Sequence, residues 1–118
     1  MERPKTIFCD IDGTLVKHDP PSETSKIEYK MTLLAGTIEK LSEWERNGYN
    51  IILTTGRKES LRDITVKQLS EVGIFYDQLI MGIGGGVRYI INDRKTNGQD
   101  SCFSICTDRN YGINDLKI

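Results

Sequence analysis

An apolar run, Ile7-Phe8-Cys9, leads directly into Asp10-Ile11-Asp12-Gly13-Thr14-Leu15, and no other stretch constrains this chain as strongly. A strand repeats every two residues, so Asp10 and Asp12 share a face if the strand continues. When the backbone turns at Gly13, both side chains converge on the space beyond the strand's carboxyl end. Two carboxylates held that close repel unless a cation or a shared proton compensates, because each raises the other's pKa. Mg²⁺, a hard ion that seeks oxygen ligands, suits the task. Asp-Gly is also a common turn dipeptide, so the reading rests on the residues further along the chain.

The remainder of the chain alternates strand and helix signals. Strand one covers about 5–12, and a polar stretch from Lys17 to about Lys30 follows. Leu34, Ile38, Leu41 and Glu45 fall on helical spacing with Trp44 beside them, and Gly48 is a good stop. Tyr49 to Thr54 reads as strand two and ends in Thr55-Gly56-Arg57. Leu61, Ile64, Gln68, Leu69 and Val72 mark a second helix, stopping at Gly73. Short strands are expected at Leu79-Ile80-Met81, at Tyr89-Ile90-Ile91 before Asn92-Asp93, and over Cys102 to Cys106.

Strands separated by helices predict an α/β fold: a three-layer, Rossmann-like, mostly parallel sheet with helices on both faces. In such sheets ligands bind outside the carboxyl ends of the strands. Polar residues with chemical potential fall at three of those ends: Asp10 and Asp12, Thr54 and Thr55, Asn92 and Asp93. This coincidence supports a site without reference to any known protein.

With these residues in view, Asp-x-Asp-Gly-Thr-Leu after an apolar strand resembles the first motif of the haloacid dehalogenase superfamily, most of whose members are Mg²⁺-dependent phosphatases. The resemblance extends over about residues 5 to 107. It implies Asp10 as nucleophile and Asp12 as general acid and base, with an aspartyl-phosphate intermediate. It also implies a Mg²⁺ site formed by Asp10, the backbone carbonyl of Asp12, and an acidic residue after a later strand. Asp93 resembles that later ligand, and Asn92 stands where many relatives carry a further Asp. Leu53-Thr54-Thr55-Gly56-Arg57 resembles the second motif, with Thr55 a better match than Thr54 for holding a phosphoryl oxygen. Gly56 permits a close approach of the backbone, and Arg57 is placed to reach substrate oxygens.

The cation that the family supplies before its last acidic motif has no clear counterpart. Met81-Gly82-Ile83-Gly84-Gly85-Gly86-Val87-Arg88 contains no lysine and leaves no room for a crossover helix. Arg88 is assigned the role, with Lys58, Arg94 and Lys95 as other candidates. The glycine run precedes a strand instead of opening a helix, so it is not a dinucleotide fingerprint. His18 is read as a loop histidine and Trp44 as core. The insert at about 17–33 is too small for a cap domain and is expected to form a hairpin flap over the site. Small capless relatives often oligomerise to close the site, so a homo-oligomer is expected.

At 118 residues the chain is read as one domain, 1–118, large enough to bury roughly two-thirds of its unfolded surface. Sixteen basic and seventeen acidic residues give a net charge of −1, which favours neither nucleic acid nor a membrane as partner. Three cysteines, an odd number, do not make a disulfide framework, and free buried thiols are expected. The amino-terminal stretch has no apolar core, and no run reaches membrane-spanning length, so a cytoplasmic enzyme is expected. A two-component receiver is disfavoured because the middle strand ends in Thr54-Thr55-Gly56 with no Asp.

The expected function is Mg²⁺-dependent hydrolysis of a small phosphorylated metabolite, a phosphosugar. Gly-Val-Arg-Tyr-Ile-Ile-Asn-Asp-Arg-Lys resembles small bacterial members linked to surface-polysaccharide synthesis. The alternatives are a nucleotide or polynucleotide-end phosphatase, and a catalytically dead phosphate-binding relative.

Overall fold

A computed structural model describes residues 3–118; Met1 and Glu2, part of the domain expected over 1–118, lie outside the described residues. The chain runs β1 (Thr6–Asp10), α1 (Pro21–Thr24), α2 (Thr37–Arg46), β2 (Asn50–Thr54), a 3-10 turn (Glu59–Leu61), α3 (Arg62–Glu71) and β3 (Gln78–Ile80). The three strands form one parallel sheet in the order β1-β2-β3. The α/β architecture with a parallel sheet and no cap is therefore as expected.

Side-chain alternation places the core. Ile7 and Cys9 of β1 are buried while Phe8 between them is 54% exposed, and Ile51 and Leu53 of β2 join the same cluster. Leu41 and Trp44, one helical turn apart on α2, close over these residues, and Leu69 of α3 completes the cluster. Trp44 is 2% exposed, which bears out its reading as core.

Both main helices end where the sequence carries glycine. Gly48 and Gly73 adopt φ of 74° and 79°, a conformation that costs glycine little and lets the chain turn back to the sheet. Tyr49 N–H then donates to Trp44 O at 2.9 Å, and Ile74 N–H donates to Leu69 O at 3.0 Å. The start of α2 is later than Leu34, because the backbone at Gly36 is left-handed with φ of 85° and the helix opens after it.

The expected strands at Tyr89–Ile91 and Cys102–Cys106 do not form. Tyr89 and Ile91 are 88% and 95% exposed, and Phe103 is 80% exposed. Alternation and β-branching suit a strand only where an edge is available to pair with it. A parallel partner for β1 needs a crossover of about a dozen residues or more, and the stretch 81–88 is shorter.

The insert also departs from a simple hairpin. Its root is antiparallel, with Val16 bridged to Leu33, Lys17 N–H donating to Thr32 O at 2.8 Å, and Leu34 N–H donating to Leu15 O at 2.9 Å. Its tip is the single helical turn α1, and it is fastened inward by buried Thr24 and Met31. No helix among the described residues is long and apolar enough to cross a membrane.

Trp44→Ala should leave a large hole beneath the sheet. Urea denaturation is expected to show a loss of about 3–5 kcal/mol, and a loss below about 1 kcal/mol would mean that the core lies elsewhere.

Candidate active site

The site lies at the carboxyl ends of the strands. Asp10 is in register with Thr54, and Thr54 with Ile80, so the three strands end side by side. Beyond β1 the chain makes a tight turn in which the Ile11 carbonyl accepts from Thr14, Leu15 and Val16 at 3.2, 2.9 and 3.2 Å. Gly13 has a φ of 90° and its N–H donates to Val16 O at 2.7 Å. Ile11, Leu15 and Val16 are wholly buried, so their apolar side chains pin this turn while the polar residues between them face the site.

Burial pushes the Asp10 carboxyl above its ordinary value. The Ile11 amide, the Arg88 charge and the Thr14 hydroxyl pull it back down, and Asp12 adds a smaller upward push. Cys9, behind it, is pushed up to about 12 by burial and by Asp10, so its thiol stays protonated and unreactive. The expectation of buried free thiols holds for Cys9 alone; all three cysteines are free, but Cys102 is half-buried and Cys106 exposed.

Arg57 departs from its expected place at the substrate. Its Nε donates to Asp12 Oδ2 at 2.9 Å and its Nη2 to Asp12 Oδ1 at 2.8 Å, a two-pronged grip. Its Nη1 donates to Gln68 Oε1 at 2.6 Å and to Thr65 Oγ1 at 3.3 Å. Gln68 Nε2 in turn donates to the Thr24 carbonyl at 2.8 Å. A continuous polar line therefore runs from the second carboxylate through Arg57 and α3 to the insert. The Arg57 side chain is 7% exposed, so this grip is screened little by solvent.

The insert brings a phenol close to the same carboxylate. Tyr29 donates to Asp19 Oδ2 at 2.6 Å, and its pKa is pushed up to about 12 by burial, by Asp19 and in part by Asp12.

Thr55 is buried, and its Oγ1 accepts from Arg57 N–H at 3.1 Å, which leaves the hydroxyl proton available to a ligand oxygen. Thr54 stands half-buried at the strand end. Gly56 has a steric reason to be glycine: a Cβ there would lie 2.6 Å from the Gly84 carbonyl oxygen. The segment after β3 is laced to the second strand's exit by Gly82 N–H to Arg57 O at 2.7 Å and Ile83 N–H to Thr55 O at 3.3 Å. It then delivers Arg88, whose charge is felt at Asp10 and whose Nη2 donates to Gly84 O at 3.1 Å.

Asn92 and Asp93 are not brought to this site. They lie in the exposed stretch, where Asp93 N–H donates to Asn92 Oδ1 at 3.1 Å and Ser101 donates to the Asp93 carbonyl. Among the described residues no group of three His, Cys, Asp or Glu side chains gathers to hold a metal. Arg94 pairs with Asp100 at 3.0 Å, away from the carboxylates. Thr14, Thr65 and Gln68 are the site residues that sequence reasoning missed. The helical spacing of Gln68 with Leu61 and Ile64 marked the face correctly, and only a buried arginine explains an amide there.

Paired carboxylates, a buried hydroxyl and a buried guanidinium thus gather at the carboxyl end of a parallel sheet, the end at which such sheets bind ligands. A family model described as haloacid dehalogenase-like hydrolase matches residues 7–100, and the chain belongs to that family. The expected membership of the haloacid dehalogenase superfamily, and with it the expected hydrolase, is borne out. A chain in a Pnkp1/Rnl/Hen1 complex is 30% identical, with 73% of this chain and 30% of that chain covered and a TM-score of 0.58. A chain in a Pnkp1/Rnl/Hen1 RNA repair complex is 32% identical, with 66% of this chain and 25% of that chain covered and a TM-score of 0.55. The present chain therefore spans less than a third of the length of either. A crystal structure of a target protein from Vibrio cholerae shares the fold at 22% identity, with 78% and 82% of the two chains covered and a TM-score of 0.55. No curated protein matches the chain.

This geometry has two measurable consequences. Arg57→Ala strands a largely buried Asp12 carboxylate, and urea denaturation should show a loss of about 3 kcal/mol, with Arg57→Lys regaining less than half because it lacks the fork. Asp10, with its pKa raised, favours folding when protonated; that contribution is complete below the ordinary value of 3.8 and is lost as pH rises through the folded value. Asp10→Asn in EDTA should therefore melt at a higher temperature than wild type at pH 7, and the gap should close on acidification below pH 3.8.

Proposed function

We propose that this chain is a Mg²⁺-dependent phosphatase that releases phosphate from a small phosphorylated metabolite, a phosphosugar, through an aspartyl-phosphate intermediate. The observation that carries the reading is the division of labour between the two carboxylates. Among the described residues no side-chain cation pairs with Asp10, which feels the charge of Arg88, whereas Asp12 is held by Arg57. A carboxylate left free at its face can act as a nucleophile, and one fixed in direction can exchange a proton at a defined place.

In this reading an Asp10 carboxylate oxygen attacks phosphorus, and the bond to the leaving oxygen breaks as the acyl phosphate forms. Asp12, protonated on an oxygen released from the Arg57 fork, gives that proton to the leaving oxygen and regains one from the water that hydrolyses the intermediate. Thr55 donates its hydroxyl proton to a phosphoryl oxygen, Gly56 keeps the backbone close, and Arg88 balances phosphoryl charge. Thr54 borders the phosphate, and Arg57 acts through Asp12 instead of on the substrate.

The donor set suits Mg²⁺, which usually keeps several waters and needs only one or two carboxylates besides substrate phosphate. The Asp10 carboxylate and the Asp12 backbone carbonyl would hold it, and its charge would relieve the repulsion between Asp10 and an incoming phosphate. Asp93 as a further metal ligand, with Asn92 a weak ligand or the holder of a metal-bound water, belongs to the same proposal and requires the exposed stretch to move toward Asp10.

The polynucleotide-end reading is favoured by one finding, the 32% identity to a chain of a Pnkp1/Rnl/Hen1 RNA repair complex. The small-metabolite reading is preferred because sixteen basic residues are offset by seventeen acidic ones, leaving no field for a polyanion. A cytoplasmic setting is supported by three free cysteines. A second copy as partner is supported by the exposed apolar residues Val87, Tyr89 and Ile91.

Phosphate release from phosphosugars, nucleotides and 3′-phosphorylated oligonucleotides should depend on Mg²⁺ and fall by at least ~10³-fold in Asp10→Asn. The best substrate chooses between the two phosphatase readings. A folded wild-type protein that binds Mg²⁺ and releases phosphate from none of them is a binding relative instead.

A further inference from the structure

After its exposed stretch the chain returns to the catalytic end of the sheet, and residues 109–114 pack against the loops on either side of the insert. Ile113 is 1% exposed and its N–H donates to Ala35 O at 2.9 Å. Two glycines allow this contact: a Cβ on Gly112 would lie 2.5 Å from the Ala35 carbonyl oxygen, and one on Gly36 would lie 2.4 Å from Asn114 Cα. The exit of the insert is thereby fixed to the carboxyl-terminal segment.

Asn110 fixes the entry. It is the only non-glycine residue with positive φ among the described residues, at 65°, a conformation asparagine tolerates better than most. In that conformation its N–H donates to Gly13 O at 2.8 Å, and its Oδ1 accepts from His18 N–H at 2.7 Å. One residue therefore joins the glycine that turns the chain after Asp12 to the start of the insert. The Arg109 stem lies over the same turn, its Cγ 3.3 Å from where a Gly13 Cβ would stand.

We propose that Asn110 is a positioning residue: its two hydrogen bonds hold the Gly13–His18 turn so that Asp10 and Asp12 meet the substrate in reactive geometry. The inference rests on the phosphatase reading and adds the carboxyl-terminal segment to its machinery. Magnitudes separate this role from a purely structural one. A neutral hydrogen bond adds little net stability, too little to decide whether the domain folds. A misplacement of reacting groups by about 1 Å can cost about 10²-fold in rate. Loss of the side chain should therefore be felt in turnover far more than in melting.

The test uses the full chain with Asn110→Gly, which keeps the left-handed backbone and the N–H but removes the acceptor, and Asn110→Asp, which keeps the acceptor. In Asn110→Gly, kcat should fall by about tenfold or more with KM within about threefold, and Asn110→Asp should recover most of the loss. Amide hydrogen exchange at His18 supplies a readout independent of turnover: it should quicken in Asn110→Gly and remain slow in Asn110→Asp. The proposal stands only if rate and exchange move together across the two variants. A lost rate without faster exchange at His18, or faster exchange without a lost rate, overturns it. A wild-type protein no more active than Asp10→Asn on any phosphate ester defeats the phosphatase reading itself, and the positioning role with it. An active wild type with an insensitive Asn110→Gly defeats the positioning role alone.

Discussion

The grip of Arg57 on Asp12 is the constraint on which the rest of the site depends. Asp12 follows directly on a strand that ends in a second acid, and an unpaired carboxylate there would repel its neighbour and resist burial. The guanidinium answers both problems with two hydrogen bonds of 2.9 and 2.8 Å. Its remaining donors bind Gln68 and Thr65, so α3 is tied by polar contacts to the turn after β1, as well as by Leu69 in the core. Because Gln68 continues to the Thr24 carbonyl, the position of the insert and the direction of the Asp12 carboxyl are set by one network. Buried pairs of this kind contribute less to net stability than to fixing one arrangement, since desolvation offsets much of their attraction.

Around that pair the chain uses apolar burial to aim polar groups. Ile11, Leu15 and Val16 are fully buried and anchor a turn whose intervening residues include Asp12 and Thr14. The segment after β3 works differently: its backbone lies against Gly56 and is laced to the carbonyls of Thr55 and Arg57. Arg88 follows that laced segment with no helix to carry it, and its charge is felt at Asp10. Tight backbone approaches at Gly56, Gly36 and Gly112 thus do in this small domain what a larger protein achieves with additional elements.

Much of this was legible in the residues. The apolar stripe of Leu41 and Trp44, the stops at Gly48 and Gly73, and the three parallel strands follow from periodicity and from the conformations glycine permits. Asp10 and Asp12 were legible because strand geometry alone brings them together. Arg57 was legible as a site residue but not in its role, since a sequence does not show which of several acceptors a fork will meet. Gln68 looked like one more position on a helix face. The strands expected at Tyr89–Ile91 and Cys102–Cys106 failed because alternation describes a segment's suitability for a sheet, not the presence of an edge it can reach.

By itself the sequence determined the local events: where the strand ends, where the helices stop, which residues are apolar enough to seek the core, and that two carboxylates stand at one strand end. These depend on interactions between near neighbours, whose spacing the chain dictates. Only the tertiary structure decided that Arg57 faces Asp12, that Asn110 reaches back to Gly13 and His18, and that Asn92 and Asp93 stand apart. The contacts that form join residues 45 positions apart, or 92 and more. Their outcome turns on differences of a few ångströms in how loops close, which no local pattern encodes.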